Sequence, residues 1–424
     1  MKVTLDYGRT GLECDLPDAN VAAVLRLNHR PPIDDLPNAI QSALCNPIGT
    51  APLRELAAGK KRACIVVCDF TRPVPNPVLL PPILAELEAA GLPREAVTIL
   101  IATGTHRPCT RAEIDEMLGE DVAHSCRVVN HVCTDADSLV DLGVSPNGVP
   151  VKLNREYVDA DLRITVGLIE PHFMAGFSGG RKLVMPGIAA LETVQAWHSP
   201  RFLEHPNASA GVVPQNPVHE ETLAIVIATP PDMICDVTLD EEKRITGIFA
   251  GDLEEAWLAG VEAASQIAQA ELAEPVDIAI TTCAGYPLDA TFYQAVKGMV
   301  GAMPALKPGG SIIIASECSE GVGNAHFKDA LIETDDLSVY LQQIQQPDWK
   351  FVPDQWEVEE LAKVTLQHKV YCIASGIPHE ILSQCFVTPA ATVEEAVEMA
   401  LAHHGADATI AVIPRGPYVL PVIR

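Results

Sequence analysis

The chain has no apolar run near the roughly 18 residues that a membrane helix requires. It also has no Cys-x-x-Cys pair, and it is short of cations: 29 lysines and arginines face 56 aspartates and glutamates, a formal net charge of −27. Each shortage excludes something. Without an apolar run, a membrane span is not expected. The opening Met-Lys-Val-Thr-Leu-Asp-Tyr-Gly meets Asp6 before an apolar core can form, which argues against a secretory signal and for a cytoplasmic location. The acidic surface repels a phosphodiester backbone, so nucleic acid is not an expected partner, although a few local arginines and lysines can still attract a small anion. The nearest approach to a cysteine motif is Cys64-Ile-Val-Val-Cys68. Cys64, Cys68, Cys283 and Cys372 lie in apolar runs, where a reduced thiol serves as a small buried hydrophobe.

What is present is a repeated βα pattern. At 424 residues the chain exceeds one ordinary core, and two domains are expected. Continuous apolar runs recur at Ala63–Cys68, Val97–Ala102, Leu162–Gly167, Val276–Ile280, Ser311–Ala315, Val370–Ala374 and Ala408–Ile413. Runs that do not alternate suit strands buried on both faces of a parallel sheet. Helical patterns such as Pro82–Ala90 and Val393–Ala402 lie between them. The expected fold class is α/β, with two domains, each a mostly parallel sheet flanked by helices and with the active site in the cleft between them. The boundary is placed near residues 265–275, where the helical run Leu253–Leu272 ends at Glu274-Pro275. This gives domains 1–270 and 271–424, with the last strand free to return to either.

Polar clusters follow the strands. Asp69-Phe-Thr-Arg-Pro73 follows the first run, Thr103-Gly-Thr-His-Arg107 the second and Glu170-Pro-His172 the third. Ligands of open α/β sheets bind beyond the carboxyl ends of strands. Asp69, Thr71, Arg72, His106, Arg107 and His172 are therefore expected on one rim. A lone histidine is usually a hydrogen-bonded structural residue, but His106 and His172 stand at strand ends beside Gly or Pro, where a neutral imidazole can act as a base.

The richest stretch runs from Glu170 to Ile188 and continues to Trp197-His198-Ser199-Pro200. Gly176, Gly179 and Gly180 precede Arg181 and Lys182. Such glycines suit close backbone approach to a phosphate, and the lysine can pair with an anion or act as a nucleophile. Gly176-Phe-Ser-Gly-Gly180 formally matches the nucleophile elbow of serine hydrolases, with Ser178 as nucleophile, but Pro171 and Pro186-Gly187 spoil the strand–turn–helix context. A P-loop also fails, since Arg181 stands at the second glycine and Leu183 at the Ser/Thr. No HExxH occurs, and His198 could simply cap the helix that it ends. In the second half, Thr291 opens a helix that places Tyr293 and Gln294 on the face of Lys297, four and three residues away. Trp356, one of four tryptophans, sits in the polar Asp354-Gln-Trp-Glu.

Taken together, these clusters and Gly179–Ile188, Trp197–Pro200, Tyr293–Lys297 and Asp354–Trp356 resemble the nickel-dependent lactate racemase family, along nearly the whole chain and in order. The resemblance implies a 2-hydroxy acid racemase or epimerase, with lactate or a related acid such as malate as substrate. It also implies a nickel-pincer nucleotide, a pyridinium-3-thioamide-5-thiocarboxylic acid mononucleotide carrying Ni(II) and tethered at Lys182. His198 would complete the nickel coordination, and His106 and His172 would be the acid/base pair. Arg72, Tyr293, Gln294, Lys297 and Trp356 would bind substrate, and Asp69, Thr71, Gly179 and Gly180 the cofactor. Implied partners are the cofactor-building pyridinium carboxylase, sulfur transferase and nickel insertase.

Chemistry agrees with the resemblance. Sulfur and imidazole donors suit Ni(II), and arginine offers a planar fork to a carboxylate. General acid–base catalysis contributes only about 10²–10⁴-fold, whereas enzymes typically reach about 10⁶-fold or more. Two histidines alone should therefore fail at a carbon beside an ionised carboxylate, and a hydride-accepting cofactor supplies the missing sink. A non-catalytic cofactor-binding protein of the same fold is the alternative.

Overall fold

A computed structural model describes residues 1–346 and 348–424. Its framework is two six-stranded sheets. Their strands, in chain order, are β1 (Val21–Val24), β2 (Ala63–Cys68), β3 (Val97–Ala102), β4 (Arg127–Asn130), β5 (Leu162–Leu168) and β6 (Met233–Leu239). They continue with β7 (Ile245–Gly251), β8 (Val276–Thr282), β9 (Leu306–Ala315), β10 (Lys369–Ile373), β11 (Thr388–Pro389) and β12 (Ile410–Ile413). Helices among the flanking elements are α1 (Asn76–Ala89), α2 (Leu191–Trp197), α3 (Phe292–Ala302), α4 (Gln355–Thr365) and α5 (Val393–His404).

The chain forms two compact units. The first gathers Met1–Asn28, Pro171–Phe173 and Ala268–Arg424, and the second His29–Glu170 and Met174–Ile267. The expected division at 270/271 thus differs at the start of the chain and at His172, both of which group with the C-terminal residues. Pattern reading follows chain order, whereas contacts here join distant segments. Strand β1 supplies the reason, because it hydrogen-bonds in parallel to β12. The last apolar run is β12 itself, held between β8 and β1 in the first unit. The expected helix Leu253–Leu272 stops at Ala268, and Gln269–Leu272 becomes a strand paired in parallel with Leu420–Ile423.

In the second unit the sheet order is β7-β6-β5-β2-β3-β4. All neighbours are parallel except the β6/β7 hairpin. In the first unit the order is β11-β10-β9-β8-β12-β1, parallel throughout. Ile65, Val66, Val67, Ile99, Leu100 and Ile101 are fully enclosed, as strands covered on both faces require. The chain leaves β2 toward β3 on one side and returns as β5 on the other. This reversal opens a crevice at the carboxyl ends of β2 and β5, the usual ligand position in such sheets.

Candidate active site

The β2–β5 crevice is lined by the loops that the sequence singles out. Asp69 follows β2 directly and is 3% exposed. Its Oδ2 lies 2.7 Å from Nδ1 of His106, carried by the loop after β3. Its Oδ1 accepts from the Thr71 amide (3.1 Å) and hydroxyl (2.5 Å). Burial alone would raise the Asp69 carboxyl, but His106, Thr71 and Arg72 outweigh it and hold the group below the usual carboxylate range. An ionised carboxylate can only accept, so Nδ1 of His106 carries the proton and Nε2 is the basic nitrogen. Arg72 donates to Thr71 Oγ1 (3.1 Å) and spans the crevice to Glu170 after β5, with Nε 3.1 Å from Oε1. Asp69 and Thr71 were expected as cofactor contacts; in the structure their polar atoms orient His106 and Arg72. Arg107 forms a two-pronged pair with Glu113 (2.6 and 2.9 Å).

The glycine loop is fastened from below. Ser178 Oγ donates to Leu168 O (2.7 Å) and accepts from the Glu170 amide (3.0 Å), while its carbonyl accepts from Trp257 Nε1 (2.8 Å). A hydroxyl spent on backbone and buried in this way is a structural fastener, which overturns the serine-nucleophile alternative. Gly180 donates its amide to Oδ2 of Asp236 at 2.7 Å. A Cβ on Gly179 would meet Ile169 at 2.8 Å and Asp236 at 2.9 Å, and one on Gly180 would meet Trp257 at 3.0 Å. Both glycines adopt positive φ, +78° and +46°. Packing of the loop onto β5 and β6 therefore requires them; they do not form an open phosphate cradle on those sides.

Arg181 is almost fully enclosed, stacked 3.7 Å from the Trp257 ring and donating to the His219 ring (2.6 Å to Nδ1). Burial lowers Arg181 to about 10, and burial together with Arg181 lowers His219 to about 3, so His219 is a neutral acceptor. Asp236, within strand β6, is fully buried, and burial raises it to about 7 against the Gly180 amide and Arg181. Sequence reading missed Asp236, His219 and Trp257. The available signal for Asp236 was an acid inside the apolar run Met233-Ile-Cys-Asp-Val.

This anchored loop presents Lys182, whose Nζ lies 5.0 Å from the centre of the Trp197 ring. The same ring meets His198 edge-on, with centroids 4.2 Å apart. Lys182 and His198 thus flank one indole despite lying in separate elements. His198 ends α2 and is 7% exposed. Its Nδ1 lies 3.0 Å from Val194 O. A carbonyl only accepts, so Nδ1 carries hydrogen and the neutral ring keeps its lone pair on Nε2, the tautomer that a metal ligand needs. The contact that ends the helix therefore also decides which ring nitrogen keeps the lone pair. Among the described residues, no group of three or more His, Cys, Asp or Glu side chains is placed to hold a metal ion.

In the first unit, His172 stacks on Phe173 (4.9 Å, 28°), and Lys297 Nζ lies 5.5 Å from that Phe173 ring. Helix α3 begins at a Thr291 cap, whose hydroxyl accepts from the Gln294 amide. Lys297 Nζ donates to Gln294 Oε1 at 2.5 Å, which keeps the buried ammonium on that face. Trp356 on α4 donates its indole N–H to the Tyr293 hydroxyl (2.8 Å). Tyr293, Gln294, Lys297, Trp356 and His172 therefore share one unit, while Asp69, Thr71, Arg72, His106, Lys182 and His198 share the other.

Residues 7–211 match the lactate racemase N-terminal domain model and residues 272–421 the C-terminal domain model. The chain is 37% identical over 422 residues to a lactate racemase of Thermoanaerobacterium thermosaccharolyticum, spanning 99% of this chain and 98% of that one. It is 37% identical over 417 residues to a lactate racemase of Lactiplantibacillus plantarum, covering 98% of both. The structure of the Thermoanaerobacterium thermosaccharolyticum lactate racemase apoprotein superposes with a TM-score of 0.93 over 100% of each chain. A Thermotoga maritima protein at 19% identity shares the fold (TM-score 0.68), with 88% of this chain and 98% of that one covered. The matched domains and full-length relatives establish that the chain belongs to the lactate racemase family.

Proposed function

We propose that this protein interconverts the enantiomers of a small 2-hydroxy acid, with lactate as the reference substrate and a related acid such as malate as the variant. The observation that carries the reading is the His106–Asp69 pair at 2.7 Å. A protein that only carried a cofactor would need an anchor and a ligand, not a base oriented by a buried carboxylate.

The residues fit a nickel-pincer nucleotide. Lys182 offers an amine for a thioamide tether, and His198 Nε2 offers an imidazole donor beside it. A nickel ion carried by that group would find in His198 Nε2 a donor of a type that suits it. When bound, that group supplies a reversible acceptor for the hydride from Cα.

The side chains perform the rest. Arg72, held by Glu170, and Lys297, held by Gln294, bind the substrate carboxylate. His106 Nε2 takes the hydroxyl proton of one enantiomer as Cα loses hydride, leaving a 2-keto acid. His172 would supply a proton to the carbonyl oxygen for the opposite enantiomer, and the two histidines would exchange roles in the reverse direction. Tyr293 and Trp356 shape the substrate end of α3. The test is a chiral assay across 2-hydroxy acids, using protein made together with the carboxylase, sulfur transferase and nickel insertase that build the cofactor. Racemisation that requires nickel, with a mass adduct on Lys182, is the expected result. Full activity in nickel-free protein would overturn the reading.

A further inference from the structure

Lys182 and His198 come from different elements, the lysine from the turn Gly180–Leu183 and the histidine from the end of α2. Two groups that act on one bound molecule need their spacing fixed to about half an ångström. The helix Pro217–Val226 reaches both elements. The Val218 carbonyl accepts from Trp197 Nε1 at 3.0 Å, which holds the indole that Lys182 and His198 flank. The next residue, His219, takes Arg181, the chain neighbour of Lys182. Arg181 Nη1 lies 2.6 and 2.9 Å from the two ring nitrogens of His219.

Each joint of this bridge is held. Asn216 is fully buried and uses both ends of its side-chain amide. Its Oδ1 accepts from the Val218 and His219 amides (3.0 and 3.2 Å), and its Nδ2 donates to Met174 O and Val212 O (3.1 and 3.0 Å). The two bridging residues thus sit in the first turn of a capped helix. Trp257 stacks on both the Arg181 guanidinium (3.7 Å) and the His219 ring (5.1 Å, 22°), and its indole N–H is spent on Ser178 O. Arg181 Nε has no hydrogen-bond partner, so the His219 ring is what aims the fork. Glu254 and Asp236 attract the guanidinium, but its hydrogen bond goes to the ring. A neutral ring offsets little of the cost of enclosing a guanidinium, so what this contact supplies is direction.

We infer that Val218 and His219 set the spacing between Lys182 and His198, so that a group bonded to the lysine also stays within reach of the imidazole. His219 is a positioning residue that acts through Arg181, and the inference rests on the proposed tether and ligand roles. Breaking the Arg181–His219 joint frees the turn that carries the lysine but leaves the amine intact. The tether should then still form, while His198 holds nickel less firmly.

The experiment uses protein made with the cofactor-building enzymes and reads two quantities separately: the mass adduct on Lys182 and the rate at which EDTA strips nickel. His219→Phe keeps the stack on Trp257 and removes both ring acceptors. It should retain the adduct and release nickel about tenfold faster than the native protein, the low end for a residue that orients a metal ligand. His219→Gln restores an acceptor and should release nickel nearly as slowly as the native protein. Release from His219→Phe at the native rate overturns the inference, and so does a His219→Gln variant as leaky as His219→Phe. Adduct and nickel that fall together in His219→Phe mean a loop merely disturbed, which also overturns it. If His219→Phe does not fold, hydrogen exchange of the native apoprotein decides. The turn Gly180–Leu183 should be as protected as the capped start of the helix, and exchange about tenfold faster in the turn overturns the inference. His198→Ala separates the two layers by giving the release rate without the imidazole. A native protein that lacks the adduct, or releases nickel as fast as His198→Ala, removes the tether or ligand reading and this inference with it. A native protein that passes both tests, with His219→Phe behaving alike, counts against His219 only.

Discussion

His106 Nδ1 stands 2.7 Å from Asp69 Oδ2, across two adjacent parallel strands whose loops deliver one residue each. The contact sets the tautomer of the imidazole, and with it which ring nitrogen keeps the lone pair. Asp69→Asn keeps the shape but presents an amide that can donate where an acceptor is needed. We expect kcat to fall by about 10²–10⁴-fold with a smaller change in KM, the size of a lost general base. A steady-state pH profile of the cofactor-loaded variant checks this, and near-native kcat would refute the orientation role.

Lys182 and His198 share the Trp197 ring but are assigned different bonds. Lys182→Ala should abolish the mass adduct. His198→Ala should keep the adduct on Lys182 while losing at least part of the nickel. Intact mass and metal analysis of protein made with the cofactor-building enzymes distinguish the two losses. The same outcome for both variants would sink the separate assignments.

Asp236 anchors the loop from a fully buried strand position, and its folded pKa is raised from 3.8 to about 7. A carboxyl raised on folding holds its proton more tightly in the native state. Its contribution is therefore fully present at acid pH and is lost as pH rises, by about 1.4 kcal/mol per unit through that window. Asp236→Asn can still accept the Gly180 amide and does not ionise, so its midpoint should fall less than that of the native protein as pH rises from about 4 to 7. Asp236→Ala removes the acceptor and should cost about 1–3 kcal/mol at acid pH. Denaturant unfolding across pH reads both, and parallel native and Asn curves would contradict the assignment.

Trp356→Phe keeps the ring but removes the N–H that meets Tyr293. A loss of about 1 kcal/mol corresponds to about a fivefold rise in KM. That rise should appear with little change in kcat, since no proton transfer is assigned to either residue. Paired kinetics of Trp356→Phe, Tyr293→Phe and the double variant test the coupling, and fully additive effects would argue against it.

Local chemistry made much of this protein legible in its sequence. Runs such as Ala63–Cys68 and Val97–Ala102 suit strands buried on both faces, which they form, and their ends point to Asp69, Arg72 and His106. Thr291 marked a helix start, and the spacing of Gln294 and Lys297 put them on one face. Residues whose role depends on contacts far along the chain were not legible. Asp236 looks like an irregularity in an apolar strand until the Gly180 amide, 56 positions earlier, is seen to meet it. His219 reads as one histidine among several until its ring is seen to take the buried guanidinium of Arg181. His172 comes four residues after β5, yet it groups with the unit that contains Lys297. Sequence periodicity reports which face of an element is buried. Burial, desolvation and the pairing of charges are properties of the folded interior, so only the tertiary structure decided them.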